Sequence, residues 1–138
     1  MAIHFFYENT DFKITAAQKT KNWIKNIIKN ENFEVGAMNF IFCDDKYLHR
    51  INMEYLQHDT YTDIITFDQS DDETKIDCEI FISIDRVKEN AQNLQTTFEN
   101  ELKRVMIHGV WHILGFGDKT EEEAKIMRQK EDESLAIF

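Results

Sequence analysis

The sequence predicts one small α+β domain, a mixed four-stranded sheet packed with about five helices, and three observations carry that expectation. The chain has 138 residues, of which 42% are hydrophobic and 30% charged, enough to bury a core and too apolar for disorder. Strand-like runs fall mostly early and amphipathic helical runs mostly late, an order that favours α+β over strict β-α-β alternation. There is no proline, no internal repeat and no low-complexity tract, so nothing divides residues 1–138 into separate domains.

Each element follows from its local pattern. IHFFYE, residues 3–8, reads as the first strand. A helix is expected from Thr15 to Lys29, with Trp23, Ile24, Ile27 and Ile28 on its apolar side and Lys21, Lys25 and Lys29 striping another face. VGAMNFIFC, residues 35–43, is the second strand, followed by Asp44 and Asp45 as caps of a helix through Tyr55. TDIITFD (62–68) and CEIFISI (78–84) are β-rich runs either side of the polar loop QSDDETK (69–75). After Asp85 the pattern turns helical: RVKENAQNL, then a helix from Thr97 to Leu114, then TEEEAKIMRQKEDESL with Thr120 as its cap and acidic residues in its first turn.

Sixteen basic against twenty-six acidic residues leave a formal net charge of −10. That favours solubility and argues against loose, charge-driven binding to nucleic acid or acidic lipid, although a local basic groove or a bound cation would offset it. MAIHFFYENTDF lacks the basic lead and apolar run of a secretory signal, and no apolar run reaches the roughly eighteen residues of a membrane span. Cys43 and Cys78 form no CxxC pair and read as buried free thiols of a reducing cytoplasm.

The chemistry concentrates in HGVWHILGFGD, residues 108–118, which holds three of the chain's four glycines. His108 and His112 are i and i+4 on a helix otherwise built from Leu102, Val105, Met106, Ile107, Val110 and Trp111, so both imidazoles share one face of a buried helix. Gly115 and Gly117 are expected to take positive φ, ending the helix and returning Asp118 over the histidine pair. Two imidazoles and a carboxylate with an open fourth position is the layout of a catalytic metal, at the end of a zincin-like HxxxH helix. Trp111, between the ligands, should be core packing, and His4 and His49 carry no site reading. Zinc peptidases of the HExxH type place a general base directly after the first histidine. Here that position is Gly109. The spacing still fits the metzincin frame, with Gly115 and Asp118 in register, but a peptidase without its base is disfavoured.

The motif HG-x-x-H-x-x-G-x-x-D, with NMEYLQHDTYTDIITFD and DCEIFIS upstream, resembles the YbeY family of bacterial rRNA maturation factors, metal-dependent endoribonucleases acting on single strands. The likeness runs from Phe40 to Asp132: Asn52 and Tyr55 match an N-x-x-Y element, Thr62-Asp63 a T-D-V-L-S-F element, and Glu79-Ile80 a D-I pair. The resemblance implies a small α+β fold, a hydrolase with one divalent ion at His108, His112 and Asp118, and RNA as substrate, with the small ribosomal subunit as a candidate partner. Three positions depart from the family's pattern. Asp118 stands where a third histidine is usual; zinc remains the expected ion, with manganese or nickel also suited by the harder carboxylate. Leu56 stands where the family has an arginine thought to hold phosphate; His58, two residues on, is either a partial substitute or only a loop polar group. Cys78 replaces a glycine, and its thiol is the weaker alternative for a third ligand.

Metal-activated water is the expected nucleophile, which makes a base at position 109 dispensable. His58 and Glu79 are the weak candidates for further catalytic groups. Asp63 and Glu79 are read either as partners that orient a histidine or as caps, Asn52 and Tyr55 as supports of the fold or as substrate contacts, and the lysine stripe as a solvated face or an RNA contact. The rivals are a non-catalytic ribosome-associated module in which the metal locks the fold and, behind it, a metzincin-like protease.

Overall fold

The computed structural model describes residues 2–138. The elements run β1 (Ala2–Glu8), α1 (Ala17–Asn30), β2 (Glu34–Cys43), α2 (Asp45–Leu56), β3 (Ile64–Asp68), β4 (Lys75–Ser83), α3 (Ile84–Asn93), α4 (Phe98–Ile113) and α5 (Glu121–Ala136). One four-stranded sheet has the order β1-β2-β4-β3; β1–β2 and β2–β4 are parallel and β3–β4 antiparallel, so the expected mixed sheet is present with β3 at one edge.

Alternation along the strands sorts the side chains into two cores. Met38, Phe40 and Phe42 of β2 and Cys78, Ile80 and Ile82 of β4 face the main core with Trp23, Ile24, Ile28, Met106 and Trp111 from α1 and α4. Ile41, Cys43, Ile65 and Phe81 face the other side, where Leu48 of α2 covers them. The two cysteines therefore lie on opposite faces of the sheet, both free, and burial pushes each thiol up to about 12. Cys78, enclosed in the main core, is no metal ligand.

Four boundaries shift from expectation. α1 starts at Ala17 rather than Thr15: Ala16 adopts the left-handed φ of 52° without a side-chain cap, and the Thr20 hydroxyl donates to its carbonyl at 2.9 Å. β3 starts at Ile64 because Thr62 and Asp63 leave the ladder, where Ser83 N still donates to the Asp63 carbonyl at 2.9 Å. β4 starts at Lys75, inside the expected loop. Lys75 and Ile76 pair with Glu34 and Val35, and the register then shifts before Met38–Cys78. The Asp77 carboxylate bridges that bulge by accepting from Ala37 N at 2.7 Å, so a side chain takes over from the ladder where charge would argue against a strand. α3 starts at Ile84 because Ser83 serves as its cap, accepting from Arg86 N at 3.2 Å.

Candidate metal centre

α4 presents the histidine pair because its other faces are occupied. Leu102, Val105, Met106, Ile107, Val110 and Trp111 are buried, and Trp111 donates to the Ser134 hydroxyl at 3.0 Å. Trp23 donates to the Ser134 carbonyl at 2.8 Å, so one residue of α5 ties down both tryptophans. The helix ends in a Schellman turn: Gly115, at φ 107°, donates to the His112 carbonyl and Phe116 N to the Trp111 carbonyl, each at 3.0 Å. Gly117 does not take the expected positive φ. A Cβ there would stand 3.1 Å from a Glu123 carboxylate oxygen, so this glycine makes room for the reciprocal cap that Glu123 forms with Thr120.

That turn delivers Asp118. Its Oδ2 lies 3.4 Å from His108 Nε2 and 3.5 Å from His112 Nε2, and the three candidate ligand atoms fall within 4.8 Å of one another. The two imidazoles meet edge to face, their centroids 4.5 Å apart. This donor set suits a divalent ion bound through two neutral imidazoles and a carboxylate.

Behind the trio stands a group that the sequence reading missed. His108 Nδ1 is 2.7 Å from Glu131 Oε2 on α5, which leaves Nε2 free to face Asp118; Glu131 in turn accepts from Arg104 Nη1 at 2.9 Å, and Arg104 Nη2 reaches Asp132 at 2.9 Å. Burial works against the His108 cation, but the hydrogen bond and charge of Glu131, with Asp118 adding, outweigh it and raise the imidazole above its ordinary range. Burial likewise works against the Glu131 anion, and His108 and Arg104 outweigh it, holding the carboxyl low. The signal was present in the sequence: Glu131 falls at i+4 from Met127 and three before Ser134, on the buried side of α5. A carboxylate at such a position requires a partner.

The trio opens into a cleft of about 610 Å³ lined by residues from α2, β3 and the connecting segment, including Asn52, Leu56, His58, Asp63 and Asp68. Asn52 is buried and its amide donates to the Thr60 carbonyl and hydroxyl at 2.9 and 3.1 Å, so it holds the wall of the cleft. Asp63 lines the cleft but accepts from Asn90 at 3.1 Å and orients neither histidine. His58 is exposed on the cleft wall. Glu79 is not among the lining residues; it pairs across β3 with Phe67 and accepts from Gln69 at 3.5 Å. The lysine stripe of α1 also lies outside the lining, and His49 bonds Asp59 at 2.8 Å.

Gly109 answers the missing glutamate. It is buried, and a Cβ on it would stand 2.7 Å from Ile64 Cδ1 and 3.3 Å from Thr66 Cγ2. Position 109 faces β3 at a close crossing, so a longer side chain there would have to displace Ile64 and Thr66.

The family model of endoribonuclease YbeY matches residues 5–138. The endoribonuclease YbeY of Christiangramia forsetii is 54% identical over 136 residues, covering 99% of this chain and 94% of that protein. That of Bacteroides thetaiotaomicron is 36% identical over 137 residues, 99% of both. The solution structure of TM1509 from Thermotoga maritima matches with a TM-score of 0.63 at 24% identity, covering 95% of this chain and 86% of that one, a likeness of fold. Among the described residues no helix is long and apolar enough to cross a membrane.

Proposed function

The chain belongs to the YbeY endoribonuclease family, and we propose that it is a metal-dependent endoribonuclease that cleaves single-stranded RNA in rRNA maturation and ribosome quality control, with residues 1–138 as one cytoplasmic hydrolase domain. The observation that carries this reading is the His108, His112 and Asp118 trio at the wall of an open cleft, braced from behind by Glu131.

Zinc is the ion we assign, with manganese or nickel as the alternatives that a carboxylate ligand admits. When bound, the ion supplies Lewis-acid activation of water and neutralises phosphate charge. The protein's part is positional. Glu131 holds the His108 proton at Nδ1 and so keeps Nε2 available as a ligand atom. Asn52 fixes the 57–63 segment as a wall, and His58 on that wall is the titratable group placed to contact a phosphate or carry a proton. Glu79, held by Gln69 outside the cleft, receives no role. The small ribosomal subunit is the partner that would supply the basic surface this cleft lacks. A protease reading is disfavoured by the packing of Gly109 against β3.

The test is metal content and RNA cleavage side by side for the wild type, His112→Ala and Asp118→Ala. About one divalent ion per wild-type chain is expected, as for a single three-ligand site, with both ion and cleavage lost in the variants. RNA cleavage that persists in His112→Ala or after complete metal removal would overturn the assignment.

A further inference from the structure

We propose that the exposed ridge at the end of α2, centred on Tyr55 with Leu56 beside it, is a stacking site for an unpaired base of the RNA strand in the cleft; the inference rests on the ribonuclease reading above. The starting point is a deficit. Among the described residues no lysine or arginine lines the cleft, whereas Asp63, Asp68 and Asp118 do, on a chain of net charge −10. Polyanion binding ordinarily draws most of its affinity from cationic contacts to phosphate, and the cleft walls carry no lysine or arginine to make them among the described residues. A strand that lodges in this cleft must be held by the metal and by something other than charge.

The apolar rim supplies it. Tyr55 is 66% exposed, Tyr61 53%, Met53 47% and Leu56 40%, all in α2 or the segment that follows it, while α2 buries only Leu48 and Asn52. Large apolar side chains left exposed at one helix end are the raw material of a contact site. Leu56, the residue after Tyr55, itself lines the cleft.

Tyr55 is braced for stacking in a way that a solvated tyrosine is not. Its ring meets Phe67 at 6.0 Å and 75°, and Phe67 meets the buried Phe81 at 5.8 Å and 90°, an aromatic ladder that runs from core to surface. Both contacts are edge to face, and no ring is stacked on Tyr55 among the described residues. Tyr61 differs: its ring already stacks on His49 at 4.3 Å and 13°, with the Arg86 guanidinium 5.2 Å from its centroid. Ile65, which shares with Phe67 the α2-covered face of β3, lines the cleft, so the ladder stands at its border. A free ring face on the residue next to a cleft-lining one fits a nucleobase, because every base offers a π-face whatever its sequence.

The experiment is cleavage by the metal-loaded chain of a short single-stranded RNA in which an abasic nucleotide is moved one position at a time. Tyr55→Ala is expected to raise KM about tenfold with kcat little changed, within the range of base–aromatic stacking, and Tyr55→Trp to preserve KM. One abasic position should cost the wild type a similar factor and cost Tyr55→Ala nothing further, which a merely structural role would not produce. Cleavage that is insensitive to Tyr55→Ala, or abasic losses that simply add to it, overturns the stacking site and leaves the ribonuclease reading standing. Unchanged RNA kinetics with a Tyr55-dependent dimer by light scattering would assign the ridge to a second copy instead. No cleavage of any RNA by the metal-loaded wild type removes the ribonuclease reading and this inference with it.

Discussion

At the scale of single residues, the His108–Glu131 pair would set how tightly a metal at the proposed site is held and at what pH. Partners that orient a ligating imidazole typically contribute 10–100-fold in metal affinity, so Glu131→Gln should weaken the ion by about that factor while leaving His108, His112 and Asp118 in place; isothermal titration with the metal checks it. The same pair gives the metal-free chain a signed pH dependence. Glu131 is held low in the folded state, so its contribution is present above the ordinary carboxylate range and lost as pH falls through its folded value. His108 is raised, so its contribution is complete below the unfolded histidine value and lost as pH rises through the higher folded one. The chelated protein should therefore melt highest between those two titrations, and Glu131→Gln should flatten the profile. Glu101 has the opposite sign. Burial, opposed by Arg104, raises its carboxyl, and its Oε1 is buried without a partner. Its ionisation costs stability as pH rises through its folded value, so Glu101→Gln should raise neutral-pH stability by about 1 kcal/mol and change little in acid, read from melts at both.

At the scale of elements, the contact between α4 and β3 decides what chemistry the site can host. Replacing Gly109 by alanine gains up to about 1 kcal/mol of helix propensity but drives a methyl onto Ile64 Cδ1, and such overpacking costs roughly 1–3 kcal/mol. The net effect should be a destabilisation of about 1 kcal/mol that largely disappears in an Ile64→Val background, which removes the offending atom; urea melts of the double-mutant cycle measure it. The sequence showed that position 109 carried no base, but the reason required the strand that packs there. The histidine pair and the glycine-led return of Asp118 were legible because helical period and turn chemistry act within a dozen residues. Glu131 was not found, although its place on the buried side of α5 marked it, because its partner lies on another helix. The early start of β4 was hidden for the same reason: Lys75 and Asp77 join the sheet through β2 and a side-chain bridge across a bulge, not through any local preference.

At the scale of the whole molecule, the question is whether the metal builds the fold or merely occupies it. The main core is closed without the trio: it joins α1, α4, α5 and the sheet through Trp23, Phe40, Phe42, Met106, Trp111 and Met127. α5 is fastened to α1 and α4 by the Ser134 bonds to both tryptophans and by the Arg104–Glu131 pair, none of which includes a ligand of the ion except through His108. The proposed ligand side chains sit at the surface of this assembly, 23%, 29% and 42% exposed for His108, His112 and Asp118. An ion bound at such a place stabilises the chain by mass action alone, about 2.7 kcal/mol at a hundred times Kd, which for a domain of this size corresponds to roughly 10 °C in Tm. Chelation should therefore lower Tm by about that amount, leave the far- and near-ultraviolet circular dichroism intact, keep unfolding cooperative, and reverse on adding metal back. A structural ion behaves otherwise, because its binding free energy is folding free energy and its removal unfolds the chain. Loss of the tryptophan near-ultraviolet signal on chelation would thus assign the ion to the fold and favour a ribosome-associated module over an enzyme. An exchangeable ion on an intact chain is what a catalytic centre at the wall of an open cleft requires.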